Sequence, residues 1–153
     1  MKRLLLGVGN SLCADDGVGP AVARRLQGAA GWMSVDCGIS LENASGVVTN
    51  ERPDLLVVVD AARMGLSPGS VRRLPCALND RMLASTHGLP LSFILSRMQD
   101  AAGEVVLVGV EPETVELGQE ISATVSEAGD RLVSILRSAD LASVRWLGEE
   151  DEG

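Results

Sequence analysis

Three short stretches of this chain are apolar along their whole length, and they decide what it can fold into. Residues 3–8 read RLLLGV, residues 54–59 read DLLVVV and residues 104–110 read EVVLVGV. None alternates apolar with polar side chains, as a strand with one wet face would. A run of this length without alternation fits a strand buried on both faces. Helices must then cover both sides, which points to strands joined by helical crossovers in a mostly parallel sheet.

The segments between these runs supply the covering elements. After a loop at 9–15, Val18, Ala21, Val22 and Leu26 repeat at helical spacing, with Pro20 in the first turn, where a missing N–H costs little. A short strand at 33–35 leads into Asp36, and 41–48 suits a short helix. The turn GLSPG at 65–69 feeds an edge strand at 70–74, where Arg72 and Arg73 fit an exposed edge better than a sheet centre. Pro90 stands as a first helical residue ahead of Leu91, Ile94, Leu95 and Met98. Val125, Ala128, Leu132, Ile135 and Leu136 mark a last amphipathic helix, with Ser122 as its cap. Neither an internal repeat nor a low-complexity linker interrupts the chain. The expectation is a single α/β domain over residues 1–147 and an acidic, disordered tail over 148–153.

Composition narrows the function classes. At 153 residues the chain can bury a core without disulfides or a structural metal. It carries 21 acidic against 13 basic side chains, a net charge of −8, and Glu149, Glu150, Asp151 and Glu152 in the tail account for half of it. Lys2 is the only lysine, and Trp32, Phe93 and Trp146 are the only aromatics, so neither phosphate contacts nor base stacking can be assembled, and nucleic acid is excluded as a partner. No apolar run approaches the roughly 18 residues that span a bilayer, and residues 1–9 lack a cleavage site, so a cytoplasmic protein without membrane insertion is expected. Cys13, Cys37 and Cys76 form no CxxC pair and suit a reducing compartment.

In such a fold ligands collect beyond the carboxyl ends of the strands. That edge is where the acids fall: Asn10, Asp15 and Asp16 follow the first strand, Asp36 ends the second, Asp60 ends the third, and Glu111 and Glu113 follow the last. The single histidine, His87, precedes a helix. Two carboxylates and a neutral imidazole could hold a borderline divalent metal and leave positions for another molecule's ligands. Each acid taken alone could equally cap a helix or solvate a loop.

Other chemistries fail on particular residues. Gly7-Val8-Gly9 begins a dinucleotide fingerprint, but the third glycine would stand at Leu12. GLSPG has the letters of a nucleophile elbow, yet Pro68 removes the N–H that should follow the serine. One histidine forbids an HExxH site, and the absence of lysine beyond Lys2 forbids a Walker loop. Cys37 beside Asp36 reads better as a small side chain at a strand end than as a thiolate.

Several of these segments together carry a resemblance. GVGNSLCADDGVGP (7–20), the Asp-Cys-Gly at 36–38, LEN (41–43), LLVVVDA ending at Asp60-Ala61, STHGLPL (85–91) and VLVGVEPE (106–113) are similar, in order and over about 130 residues, to the hydrogenase maturation endopeptidases. STHGLPL and LEN resemble most the branch that processes hydrogenase 3-type, formate-hydrogenlyase-type [NiFe] enzymes. The resemblance implies a monomer with a three-layer α/β/α sandwich: a mostly parallel, twisted sheet of about five strands with an antiparallel edge strand. It puts the metal contacts on Asp16, Asp60 and His87, the catalytic acids on Asp16, Asp36 and Asp60, and substrate binding on Asp36 and Gly38. The family's Asp-Gly-Gly has Cys37 in its middle place, where glycine would allow a positive φ or a close substrate approach.

It further implies removal of a short C-terminal extension from the nickel-loaded precursor of a hydrogenase large subunit, the partner of the reaction. Nickel would arrive with that precursor, and no tightly bound cofactor is expected in the resting enzyme. Two routes stay open for the chemistry: nickel polarises the scissile carbonyl, or a carboxylate pair such as Asp16 and Asp36 does the acid–base work. A non-catalytic chaperone binding nickel or the precursor, and a small-molecule hydrolase with its own metal, are the competing readings.

Overall fold

The structure is a computed structural model and describes residues 1–76 and 91–149. The elements run in chain order β1 (Arg3–Gly7), α1 (Val18–Leu26), β2 (Trp32–Asp36), α2 (Ser45–Glu51), β3 (Leu55–Ala61), β4 (Val71–Leu74), α3 (Leu91–Met98), β5 (Glu104–Val110) and α4 (Ala123–Arg137). The expected α/β architecture is present. Five strands lie in the order β2-β1-β3-β5-β4, all parallel except β4, which pairs antiparallel with β5 at one edge.

The unbroken apolar runs are explained by where alternate side chains go. Leu4, Leu6, Leu56, Val58 and Leu107 face one core with Val48 of α2 and Leu95 and Met98 of α3. Leu5, Val57, Val59, Val106 and Val108 face another with Val22 and Leu26 of α1 and Leu132 and Leu136 of α4. The central strands are buried on both faces, which is why their runs carry no alternation. Each fully buried Leu or Val contributes roughly 1.5–3 kcal/mol relative to exposure.

β1 lies between β2 and β3, so the chain leaves β1 to one side and later returns on the other. A crevice opens at the carboxyl ends of strands where the connections diverge in this way. The start of α1 is seated there through Gly19: a Cβ at that position would lie 2.3 Å from the Val8 carbonyl oxygen and 2.5 Å from that of Val59. The close helix–strand approach missing at Leu12 is therefore supplied by Gly19.

Three local expectations are adjusted. Strand β3 does not stop before Asp60, because β5 continues to pair with it at Asp60–Gly109 and Ala61–Val110. The helix expected over 41–48 is a 3-10 turn, Leu41–Ala44, followed by α2, which runs on to Glu51. It stops at Arg52, whose φ is +44°, because Pro53 bars helical backbone before it. The edge arginine Arg73 is not simply solvated: its Nε donates to the Val144 carbonyl at 2.6 Å and its guanidinium lies 4.7 Å from the Trp146 ring centroid. Arg73 N also donates to the Arg145 carbonyl at 2.7 Å, so residues 145–147 cover part of the free edge of β4. Of the tail, Gly148 and Glu149 are exposed, and 150–153 lie outside the described residues. Among the described residues no helix is long and apolar enough to cross a membrane.

Candidate active site

The two adjacent acids after β1 have different surroundings. Asp15 is fully buried, and its carboxylate accepts from Glu113 N (2.8 Å), Thr114 N (3.1 Å), Ser122 N (2.7 Å) and Ser122 Oγ (3.0 Å). Ser122 Oγ in turn accepts from Val125 N and caps α4, as its position in the sequence predicts. Asp15 thus ties the segment after β5 to the 3-10 turn Ala14–Gly17. Four donors on one carboxylate make it a structural anchor.

Asp16, 4% exposed, occupies the same turn, and its Oδ2 accepts from Asn10 N at 3.1 Å. Asn10 also accepts from Leu12 N at 3.0 Å, which closes the 10–13 loop around the carboxylate. The turn packs against β3, the strand that carries Asp60. Asp60 is 0% exposed and shares a strand face with Val58 and Ala62, on the α2 and α3 side. Both acids are buried, Asp16 in the turn that follows β1 and Asp60 at the end of the neighbouring strand β3, the two strands that flank the crevice.

Asp36 takes the other direction. At the end of β2 it lies across β1 from that crevice, in register with Gly7. Its Oδ2 pairs with Arg24 of α1 at 3.2 Å and its Oδ1 accepts from Gly38 N at 2.9 Å. Arg24 has no motif signature, so nothing in the sequence marks it as the partner of Asp36. Gly38 has φ +59°, and its carbonyl accepts from Gly9 N at 2.8 Å. The conformation that favours glycine thus falls on Gly38 and not on Cys37, whose N–H continues the ladder to Gly7 O at 2.8 Å. Cys37 is buried against Leu41 and Ala44, and burial, with the Asp36 charge beside it, pushes its thiol up to about 12. It is a packing residue, protonated at neutral pH.

Glu111 is also structural: its Oε1 accepts from Met64 N at 2.8 Å and Leu66 N at 3.0 Å, fixing the turn that contains GLSPG. Glu113 is exposed and reaches Asp15 through its backbone. His87 and Pro90 lie outside the described residues. Among the described residues no group of three or more His, Cys, Asp or Glu could hold a metal ion, and His87, the third expected metal contact beside Asp16 and Asp60, lies outside them.

Comparison with known proteins identifies the family and agrees with the fold. The family described as HycI, hydrogenase maturation protease, matches residues 18–139. The hydrogenase 3 maturation protease of Escherichia coli K12 is 33% identical over 131 residues, 84% of each chain. The solution structure of the endopeptidase HycI from Escherichia coli superposes with a TM-score of 0.88 at 29% identity, covering 99% of this chain and 100% of that one. A crystal structure of a [NiFe] hydrogenase maturation protease HycI from Thermococcus kodakarensis gives 0.81 at 29% identity, over 91% and 92% of the two chains. With its five-stranded sheet in common with these enzymes, and its matched segment running from α1 through α4, the chain belongs to the hydrogenase maturation protease family and is a peptidase.

Proposed function

We propose that this peptidase removes the C-terminal extension of the nickel-loaded large-subunit precursor of a [NiFe] hydrogenase, with the precursor's nickel as its recognition handle. The observation that carries the reading is the burial of two carboxylates, Asp16 in the turn after β1 and Asp60 at the end of the neighbouring β3, at the same end of the sheet. Carboxylates and an imidazole suit a borderline cation such as nickel, and Asp16, Asp60 and His87 would complete the coordination of an ion already held by the precursor's cysteines. A metal-free precursor would lack the contact and dock poorly.

The contact sets the scissile bond beside a carboxylate that positions the attacking water, an aspartyl-type hydrolysis. Asp16 and Asp60 are the groups for that chemistry. Asp36, through Arg24 and the Gly38 turn, shapes the wall along which the extension lies. The protein works as a monomer in the cytoplasm, a compartment that suits its three free cysteines.

Incubation with nickel-loaded and metal-free precursor, read by intact mass, tests the reading. Loss of the extension from the loaded form alone is expected. Binding without shortening would identify a chaperone, and retained cleavage in both Asp16→Ala and His87→Ala would reject the metal contacts.

A further inference from the structure

The loops beside the acids carry a feature that the hydrolysis itself does not use. Leu12, Ile39 and Leu117 are large aliphatic residues that are 69%, 49% and 76% exposed. They stand on three different loops, after β1, β2 and β5, all at the sheet edge that holds Asp16 and Asp60. Those loops are joined to one another: Gly9 N donates to Gly38 O and Gly118 N donates to Leu12 O, both at 2.8 Å. Asp15 pins the outer loop from below at Glu113 and Thr114. Three apolar tips are thus held out to solvent on loops bonded to one another, and a partner that covered them would gain free energy from the apolar area removed from water.

The surrounding charge says what kind of surface does so. Glu113, Glu116 and Glu120 are exposed on the same loop as Leu117. A second copy of this chain would bring the same acids against them, on a molecule of net charge −8, and would be repelled. A different protein, with an apolar patch bordered by lysine or arginine, would complement both the tips and the rim.

We infer that Leu12, Ile39 and Leu117, with Glu113, Glu116 and Glu120 on the loop of Leu117, form the docking surface for the folded body of the protein substrate. This rests on the proposed function, since it takes the hydrogenase precursor as the occupant. The surface lies beside the acids, so it grips the precursor's body while the crevice takes the metal and the extension. Recognition is then divided: the rim supplies affinity and approach, and the crevice supplies alignment.

The test is the affinity of the full-length protein for nickel-loaded precursor, with steady-state cleavage measured alongside. The double variant Leu12→Asp/Leu117→Asp should raise Kd and KM by about tenfold or more, with kcat within about twofold of wild type and an unchanged melting temperature. The triple variant Glu113→Gln/Glu116→Gln/Glu120→Gln should bind more weakly at low salt and lose most of its salt dependence. Unchanged Kd and KM in the double variant would overturn the inference. So would a wild-type dimer in light scattering that the double variant abolishes, or a wild type that binds no precursor. Binding sensitive to Leu12 and Leu117 without any cleavage would instead uphold the surface and remove the proposed hydrolysis.

Discussion

Ser122 donates both its backbone N–H, at 2.7 Å, and its hydroxyl, at 3.0 Å, to the carboxylate of Asp15, 107 positions earlier in the chain. The bond joins the cap of the last helix to the loop that follows the first strand. Asp15→Ala would strip four donors of a buried acceptor and should destabilise the fold by roughly 2–4 kcal/mol. The melting temperature should fall by on the order of 10 °C in a domain of this size.

Asp16→Asn and Asp60→Asn separate structure from chemistry. Each variant keeps the volume and much of the hydrogen-bonding capacity of the buried acid, so melting should shift by only a few degrees or less. Cleavage of precursor should fall by at least about a hundredfold in each. A calorimetric scan beside an activity assay distinguishes this from the Asp15 variant, whose loss should track unfolding.

Gly19 and Gly46 make a paired backbone test. A Cβ at Gly19 would lie 2.3 Å from the Val8 carbonyl oxygen, whereas a Cβ at Gly46, in α2, meets nothing within 4 Å. Gly19→Ala should cost about 3 kcal/mol or more, because the added Cβ meets backbone rather than a movable side chain. Gly46→Ala should stabilise by up to about 1 kcal/mol through helix propensity. Denaturant midpoints of the two variants should move in opposite directions.

Cys37 carries a pH signature. Burial raises its thiol from 9.0 to about 12, so between those values the folded protein keeps a proton that the unfolded chain releases. The folded state then binds more protons than the unfolded one, and stability falls as pH rises through this window. Below pH 9 the group contributes no slope. Cys37→Ala should flatten the decline above pH 9 and leave cleavage intact at neutral pH. In the native protein Cys37 should resist alkylation until denaturant is added.

The sheet was legible because its three central strands, β1, β3 and β5, are apolar on both faces, a pattern that a half-exposed strand does not produce. Leu4 and Leu6 go to one core and Leu5 to the other, and the sequence shows this simply as LLL. The acids at the strand ends were legible as a group but not by role. Asp15 and Asp16 look alike in sequence, and only the distant donors at 113, 114 and 122 make the first an anchor. Asp36 likewise depends on Arg24, an arginine on a helix surface with no motif around it. Cys37, where the family pattern has glycine, needs no special backbone because Gly38 takes the positive φ. The covering of β4 was not legible either, since Arg72 and Arg73 look equivalent and only Arg73 meets Val144 and Trp146.

The central claim is that nickel held by the precursor gains ligands from this chain, and X-ray absorption at the nickel edge tests it directly. Nickel-loaded precursor should acquire new oxygen or nitrogen neighbours when wild-type protein is added, and not when Asp16→Ala/Asp60→Ala is added. A nickel spectrum unchanged by wild-type protein, while that protein shortens the precursor, would contradict the account.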